Sequence, residues 1–268
     1  MPRKPTVNRR TVLATIGTVA GGGVVGTGLV AAREPQTGAA DVGIASTVQQ
    51  HLMNNEIDAA HRLLDEHDVW YVERRSGRTS DETFSGAAAA DNGDKDCDKG
   101  AFDICNSWVS NNLIHDSGDK YLATLNFKIG ENTYEYWDGG PGNVDPLQMS
   151  WSDNYWEPVE MSRDNYYGSS RISYEDYQVN GILADHDDPQ PHNDGHYEEH
   201  SGSLQTYLYR LDYDHDYLVG GEYVHTYTKS SKDGGFSFNL PPDGIVSVDL
   251  EDYSKGEWRL DTSTRPSD

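Results

Sequence analysis

The chain has 268 residues and carries 45 acidic against 21 basic side chains, a formal charge of −24. So acidic a balance argues against nucleic acid and anionic membrane as partners, because no basic patch exists to release their counterions. Only 35% of residues are hydrophobic, so the core must draw on the 17 Tyr and 6 Trp together with β-branched residues.

Asn8-Arg9-Arg10-Thr11-Val12-Leu13 sets two arginines ahead of an apolar stretch, Val12 to Ala32, that contains no acid and ends on Val30-Ala31-Ala32. That order is an export signal, and the adjacent Arg9 and Arg10 point to the twin-arginine export machinery, which carries proteins already folded. Cleavage after residues 1–32 gives a secreted or cell-surface protein beginning near Arg33 or Asp41. Left uncleaved, Val12 to Ala32 serves as an N-terminal membrane anchor. Without the four cations of the signal the formal charge becomes −28 over the 236 residues from Arg33. Thirty Asp and fifteen Glu face only eight Lys and thirteen Arg. Repulsion on this scale is tolerable in molar salt, where the Debye length is about 3 Å. A halophile explains the scarce lysine; a merely acidic bacterial secreted protein is the other reading.

Residues 33–43 read as a linker. In 44–75, Val48, Leu52, Ile57, Ala60, Leu63 and Leu64 recur at helical spacing, interrupted by Asn54-Asn55. The spacing predicts a helical hairpin, followed by a first strand at Val69 to Val72. His51, His61 and His67 read as solvated positions on its helix faces. Residues 76–100, rich in Ala, Gly, Ser and Asp, read as an acidic loop. From 101 to 268 the period becomes two. Tyr121 to Ile129, a turn at Gly130-Glu131-Asn132 and Thr133 to Trp137 read as a β-hairpin. Further strands follow at 147–151, 155–161, 170–174, 204–213, 217–228, 236–240, 245–250 and 257–261. Tyr207, Tyr209, Leu211 and Tyr213 share one face of their strand. With no helices between the strands to make parallel crossovers, the fold is expected to be mainly β, an antiparallel β-sandwich or open barrel preceded by a short N-terminal helical hairpin.

Asp145-Pro-Leu-Gln-Met-Ser-Trp-Ser-Asp-Asn-Tyr-Trp156 and Gly221-Glu-Tyr-Val-His-Thr-Tyr227 resemble segments of twin-arginine-exported β-rich proteins of halophilic archaea. The resemblance covers about half the chain and implies a β-rich exported domain, with no activity attached.

Candidate chemistry falls in three places. His186, His192, His196 and His200 lie close together among carboxylates, and imidazoles in that company suit zinc, nickel or copper. His196-Tyr-Glu-Glu-His200 also spells H-x-x-E-H, with Glu199 in the general-base place. That chemistry needs both imidazoles on one helical face, and Pro189, Pro191, Gly195 and Gly202 leave barely one turn. A solvated acidic loop is the plainer reading. Asp94, Asp96 and Asp98 alternate like calcium ligands; they miss the EF-hand spacing at Lys99 and Cys105, which leaves a looser calcium site as the metal reading here. Cys97 and Cys105, the only cysteines, are expected to form a disulfide in an exported protein. Trp108, Trp137, Trp151 and Trp156 could stack on sugars or fill the core. With no nucleophile elbow, Walker loop or dinucleotide fingerprint, two function classes remain: a non-enzymatic surface, ligand-binding or structural module, or a metal-dependent hydrolase built on His186 to His200.

The charge makes a direct prediction. Circular dichroism across a salt series should show the fold loosening in dilute buffer and tightening as salt rises; stability that is flat with salt would refute it.

Overall fold

The computed structural model describes residues 37–79, 82–83, 103–130, 132–133, 145–160, 166–169, 171–187, 196–197, 199–212, 218–226, 235–239, 247–251 and 257–264. Two helices, α1 (Ala45–Met53) and α2 (Ile57–Glu66), lead into strands. Those of the first half are β1 (Tyr71–Thr79), β2 (Glu82–Thr83), β3 (Asp103–Ser117), β4 (Lys120–Gly130), β5 (Asn132–Thr133), β6 (Asp145–Trp151), β7 (Trp156–Pro158) and β8 (Tyr166–Gly168). The second half adds β9 (Ile172–Gln178), β10 (Gly181–His186), β11 (His196–Tyr197), β12 (His200–Arg210), β13 (Val219–Thr226), β14 (Gly235–Asn239), β15 (Ser247–Glu251) and β16 (Glu257–Thr264).

The main strands form two antiparallel sheets, and neither closes into a barrel. The first runs β2-β1-β3-β4-β12-β7, with β8 also on β12; the second runs β16-β13-β6-β10-β9. The chain is therefore mainly β, a sandwich with the helical hairpin at its N-terminal side. Two small pairs, β5 with β11 and β14 with β15, stand apart.

Strand β4 explains the layering. Tyr121, Ala123, Leu125, Phe127 and Ile129 point one way, into a core shared with Leu147, Met149, Ile182, Val219 and Tyr223 of the second sheet. The alternate residues point to the other face, where Leu122, with Trp108 and Ile114 of its sheet, packs on Val48, Leu52, Ala60 and Leu64 of the helices. Both faces of this sheet are thus covered, one by a sheet and one by helices. Gly221 of β13 lets the sheets approach, since a Cβ there would lie 2.6 Å from Leu125 across the gap; Gly202 makes room within its own sheet, where a Cβ would lie 2.6 Å from the ring of its cross-strand partner Phe127. Asn111 Nδ2 crosses the gap to donate to the Val219 carbonyl at 2.6 Å.

The helix seat is partly polar. Ser110, Asn112, Thr124, Asn126, Ser203 and Gln205 are all buried, on adjacent positions of β3, β4 and β12. Asn126 Nδ2 donates to the Leu52 carbonyl at 2.7 Å and to Asn55 Oδ1 at 3.1 Å, while Asn55 returns a bond to the Phe127 carbonyl. Asn55 sits at φ 60, a left-handed value that the turn between the helices requires and that Asn tolerates.

Several expectations change in detail. From Thr37 the expected linker is docked: Ala39 and Ala40 donate backbone bonds to the His115 and Asp116 carbonyls. The expected loop 76–100 begins as strand, since β1 reaches Thr79 and β2 follows. The expected hairpin of 121–129 with 133–137 does not form. β4 pairs with β3 and β12, while β5 pairs with β11. Both edges of β4 are thus taken, one by β3 and one by β12. Residues 1–36, including Arg9 and Arg10, lie outside the described residues, as do Asp94, Asp96, Asp98, Cys97 and Trp137. Cys105 lies on β3. Among the described residues no helix is long and apolar enough to cross a membrane.

Candidate functional site

Two of the four clustered histidines meet, though not in a loop. His186 closes β10 in the second sheet and His200 opens β12 in the first. Both point inward, so their rings stack across the gap with centroids 4.9 Å apart and planes at 13°. His186 is 0% exposed and His200 9% exposed. The reading of this segment as solvated therefore fails at both of its ends, because each residue occupies the inward register of a core strand. His192 lies outside the described residues. His196 is on β11, paired with Thr133 of β5. Glu199 is exposed and ion-paired with Lys128 Nζ at 2.7 Å. The segment around His196 and His200 is strand, so the helical turn that H-x-x-E-H chemistry needs is not formed.

The partners of His186 are specific. Asp145 is its cross-strand neighbour on β6, and Tyr223 reaches the pair from β13. The Tyr223 hydroxyl donates to Asp145 Oδ2. Having given its one proton there, the hydroxyl accepts from His186 Nδ1 at 3.2 Å. This order places an N–H on His186 Nδ1. The Phe127 ring meets His186 edge-on at 4.9 Å and Tyr223 at 4.7 Å. Imidazole, phenol and carboxylate thus form one buried chain walled by aromatic rings. Among the described residues no group of three His, Cys, Asp or Glu side chains is placed to hold a metal ion.

A second polar group lies where α2 meets the sheet. His61, expected to be solvated, stacks on Tyr71 at 4.4 Å and its Nε2 donates to Asn112 Oδ1 at 3.0 Å. Glu73 Oε1 accepts from Ser110 Oγ at 2.6 Å and from Arg75 Nη2 at 2.8 Å, and the Arg75 guanidinium lies 4.6 Å over Trp108. Ser110 gives its proton to a carboxylate rather than to an imidazole, so the group ties helix to sheet and does not activate a nucleophile. Of the tryptophans, Trp108, Trp151 and Trp156 are buried core residues rather than a stacking platform.

The exposed aromatic surface is elsewhere. Past the helices the outer face of β12 carries Tyr207 and then Tyr209, which is 39% exposed; Leu211 just beyond is 50% exposed. Lys120 Nζ lies 3.9 Å over the Tyr207 ring and 3.1 Å from Asp116 Oδ2. Burial first, then the Asp116 carboxylate and Tyr167, push the Tyr207 hydroxyl above the usual phenol range, keeping it a neutral donor. Sequence alternation had marked this face.

No protein-family model matches the chain, and no curated protein matches it. A solved structure titled "Pore forming protein" is similar over 74% of this chain and 90% of its own length, at 9% identity and a TM-score of 0.32. A likeness at that level carries no argument about activity.

The buried chain yields a prediction. Tyr223→Phe removes the hydroxyl between a buried carboxylate and a buried imidazole and should cost about 2 kcal/mol. Denaturant unfolding should show a lower midpoint with an unchanged slope; an unmoved midpoint would show that the hydroxyl contributes nothing.

Proposed function

We propose that the chain is an exported, acidic β-sandwich module that works by binding at its surface rather than by catalysis. The observation that supports this reading is the packing of His186 and His200 ring against ring between the sheets, with His186 committed through Tyr223 to Asp145. A catalytic zinc needs three protein ligands and an open position for water. Histidines walled by Phe127 and Tyr223 serve cohesion between sheets instead. The paired Arg9-Arg10 and the apolar stretch behind it supply the route out of the cell, and the charge of −28 suits a salty exterior.

Metal analysis of protein purified without a histidine tag tests the reading against a metal-dependent hydrolase. Zinc should be far below one equivalent, and a chelator should leave the melting temperature unchanged. One equivalent of zinc, lost on His200→Ala, would overturn the proposal.

A further inference from the structure

His115, near the end of β3, is 3% exposed, and both of its ring nitrogens meet backbone carbonyls. Nε2 lies 2.8 Å from the carbonyl oxygen of Gly118 in the turn to β4, and Nδ1 lies 3.1 Å from that of Thr37. A carbonyl only accepts, so each bond needs a proton on the ring. A neutral imidazole carries one such proton, and its other nitrogen would turn a lone pair toward an oxygen. Only the imidazolium makes both bonds.

The segment 37–44 lies against this strand end. Ala39 and Ala40 donate to the His115 and Asp116 carbonyls at 3.0 and 2.9 Å. Gly38 comes so near that a Cβ there would collide with the Asp116 carbonyl. Ala39 and Ile44 pack on the helix core. The titratable and charged groups on the elements meeting here are few. Within the segment, Asp41 Oδ2 accepts from the Gly38 N–H at 3.0 Å. β3 brings Asp116, buried and paired with Lys120 of β4, and the Tyr121 ring lies 5.3 Å from the imidazole. From β12 come Tyr207 and Arg210, whose backbone N–H bonds to the Asp119 carbonyl. Trp70, ahead of β1, offers only its carbonyl, to the His115 N–H. Of these kinds of group, imidazole alone ordinarily changes charge between about pH 5 and about pH 8.5.

We propose that His115 is a pH-sensitive clasp, which straps segment 37–44 to the turn between β3 and β4 when its ring is charged and loosens it when the ring is neutral. The sign follows from the bonds. The second bond stabilises docking on the acid side, and that stability is lost as pH rises through the imidazole range. The ring is buried, so molar salt screens the effect little. Opening the strap frees chain as far as α1, up to about 28 Å when extended. On the reading of residues 1–32 as an export signal or anchor, acid shortens the tether between that segment and the sandwich. The clasp does not depend on what the module binds.

Nitrogen NMR and amide hydrogen exchange on the full chain in molar salt, at about pH 5 and about pH 8.5, test it. Both His115 ring nitrogens should carry protons at the lower pH and one at the higher. Protection of the Ala39 and Ala40 amides, corrected for the intrinsic rate at each pH, should fall about tenfold between the two, while that of Leu125 in β4 holds. His115→Gln, whose uncharged amide group can donate to both carbonyls, should remove the pH dependence. A ring with one proton at pH 5 while Ala39 and Ala40 stay protected would overturn the clasp. So would equal protection at both pH values, or the same tenfold fall in His115→Gln, which would assign the effect to another group. The native titration decides the matter even where the variant fails to fold.

Discussion

Everything in this fold depends on β4 being buried from both sides. Its odd-numbered residues from Tyr121 to Ile129 fill the gap between the sheets, and its even-numbered residues seat the helical hairpin. A strand so placed must satisfy its backbone entirely through its neighbours, and β3 and β12 supply ladders along most of its length. Leu125 and Phe127 can occupy the gap only because Gly221 gives way across it to the first and Gly202, on the adjacent strand of the same sheet, gives way to the second. Replacing either glycine by alanine would drive a methyl into a packed side chain, the overpacking that close-packed interiors resist.

The second consequence of two-sided burial is polar. An antiparallel sheet with one wet face can carry Ser, Asn and Gln at no cost, but here that face lies under helices. Each polar residue therefore needs a partner. Asn126 finds the Leu52 carbonyl and Asn55, Asn112 finds His61, and Ser110 finds Glu73. These bonds fix where the hairpin sits, which apolar contact alone would leave free to slide. The same economy appears between the sheets, where His186, Tyr223 and Asp145 satisfy one another in a region otherwise aromatic. On this face, among the described residues, the end of β12 that the hairpin does not reach is left exposed at Tyr209 and Leu211.

Much of this was legible in the sequence, for definite reasons. Val48, Leu52, Ala60 and Leu64 announce their helices because one face only is buried. The break at Asn54-Asn55 marks the turn because its backbone enters the left-handed region there. β3 escaped notice, although it is the longest strand at 15 residues, because Ser110, Asn111, Asn112 and His115 look like loop. Their polarity makes sense only with helices on one side and Val219 on the other. β10 escaped for the opposite reason, since Ile182, Leu183 and Ala184 are buried on both faces and show no alternation. Spacing groups the histidines, and the rings of His186 and His200 do meet. Their placement in opposite sheets could not be read from spacing, because sequence proximity suggests a loop and only tertiary pairing puts them in separate strands.

If β4 joins the two cores, helices and sheets must open together. Native-state hydrogen exchange in molar salt measures this directly. The amides of Leu122 to Phe127 and of Leu52 and Leu64 should exchange with one common opening free energy, equal to that of global unfolding. Helix amides that open several kcal/mol more easily than those of β4 would show that the hairpin is a separate unit resting on the sandwich, and would contradict the account.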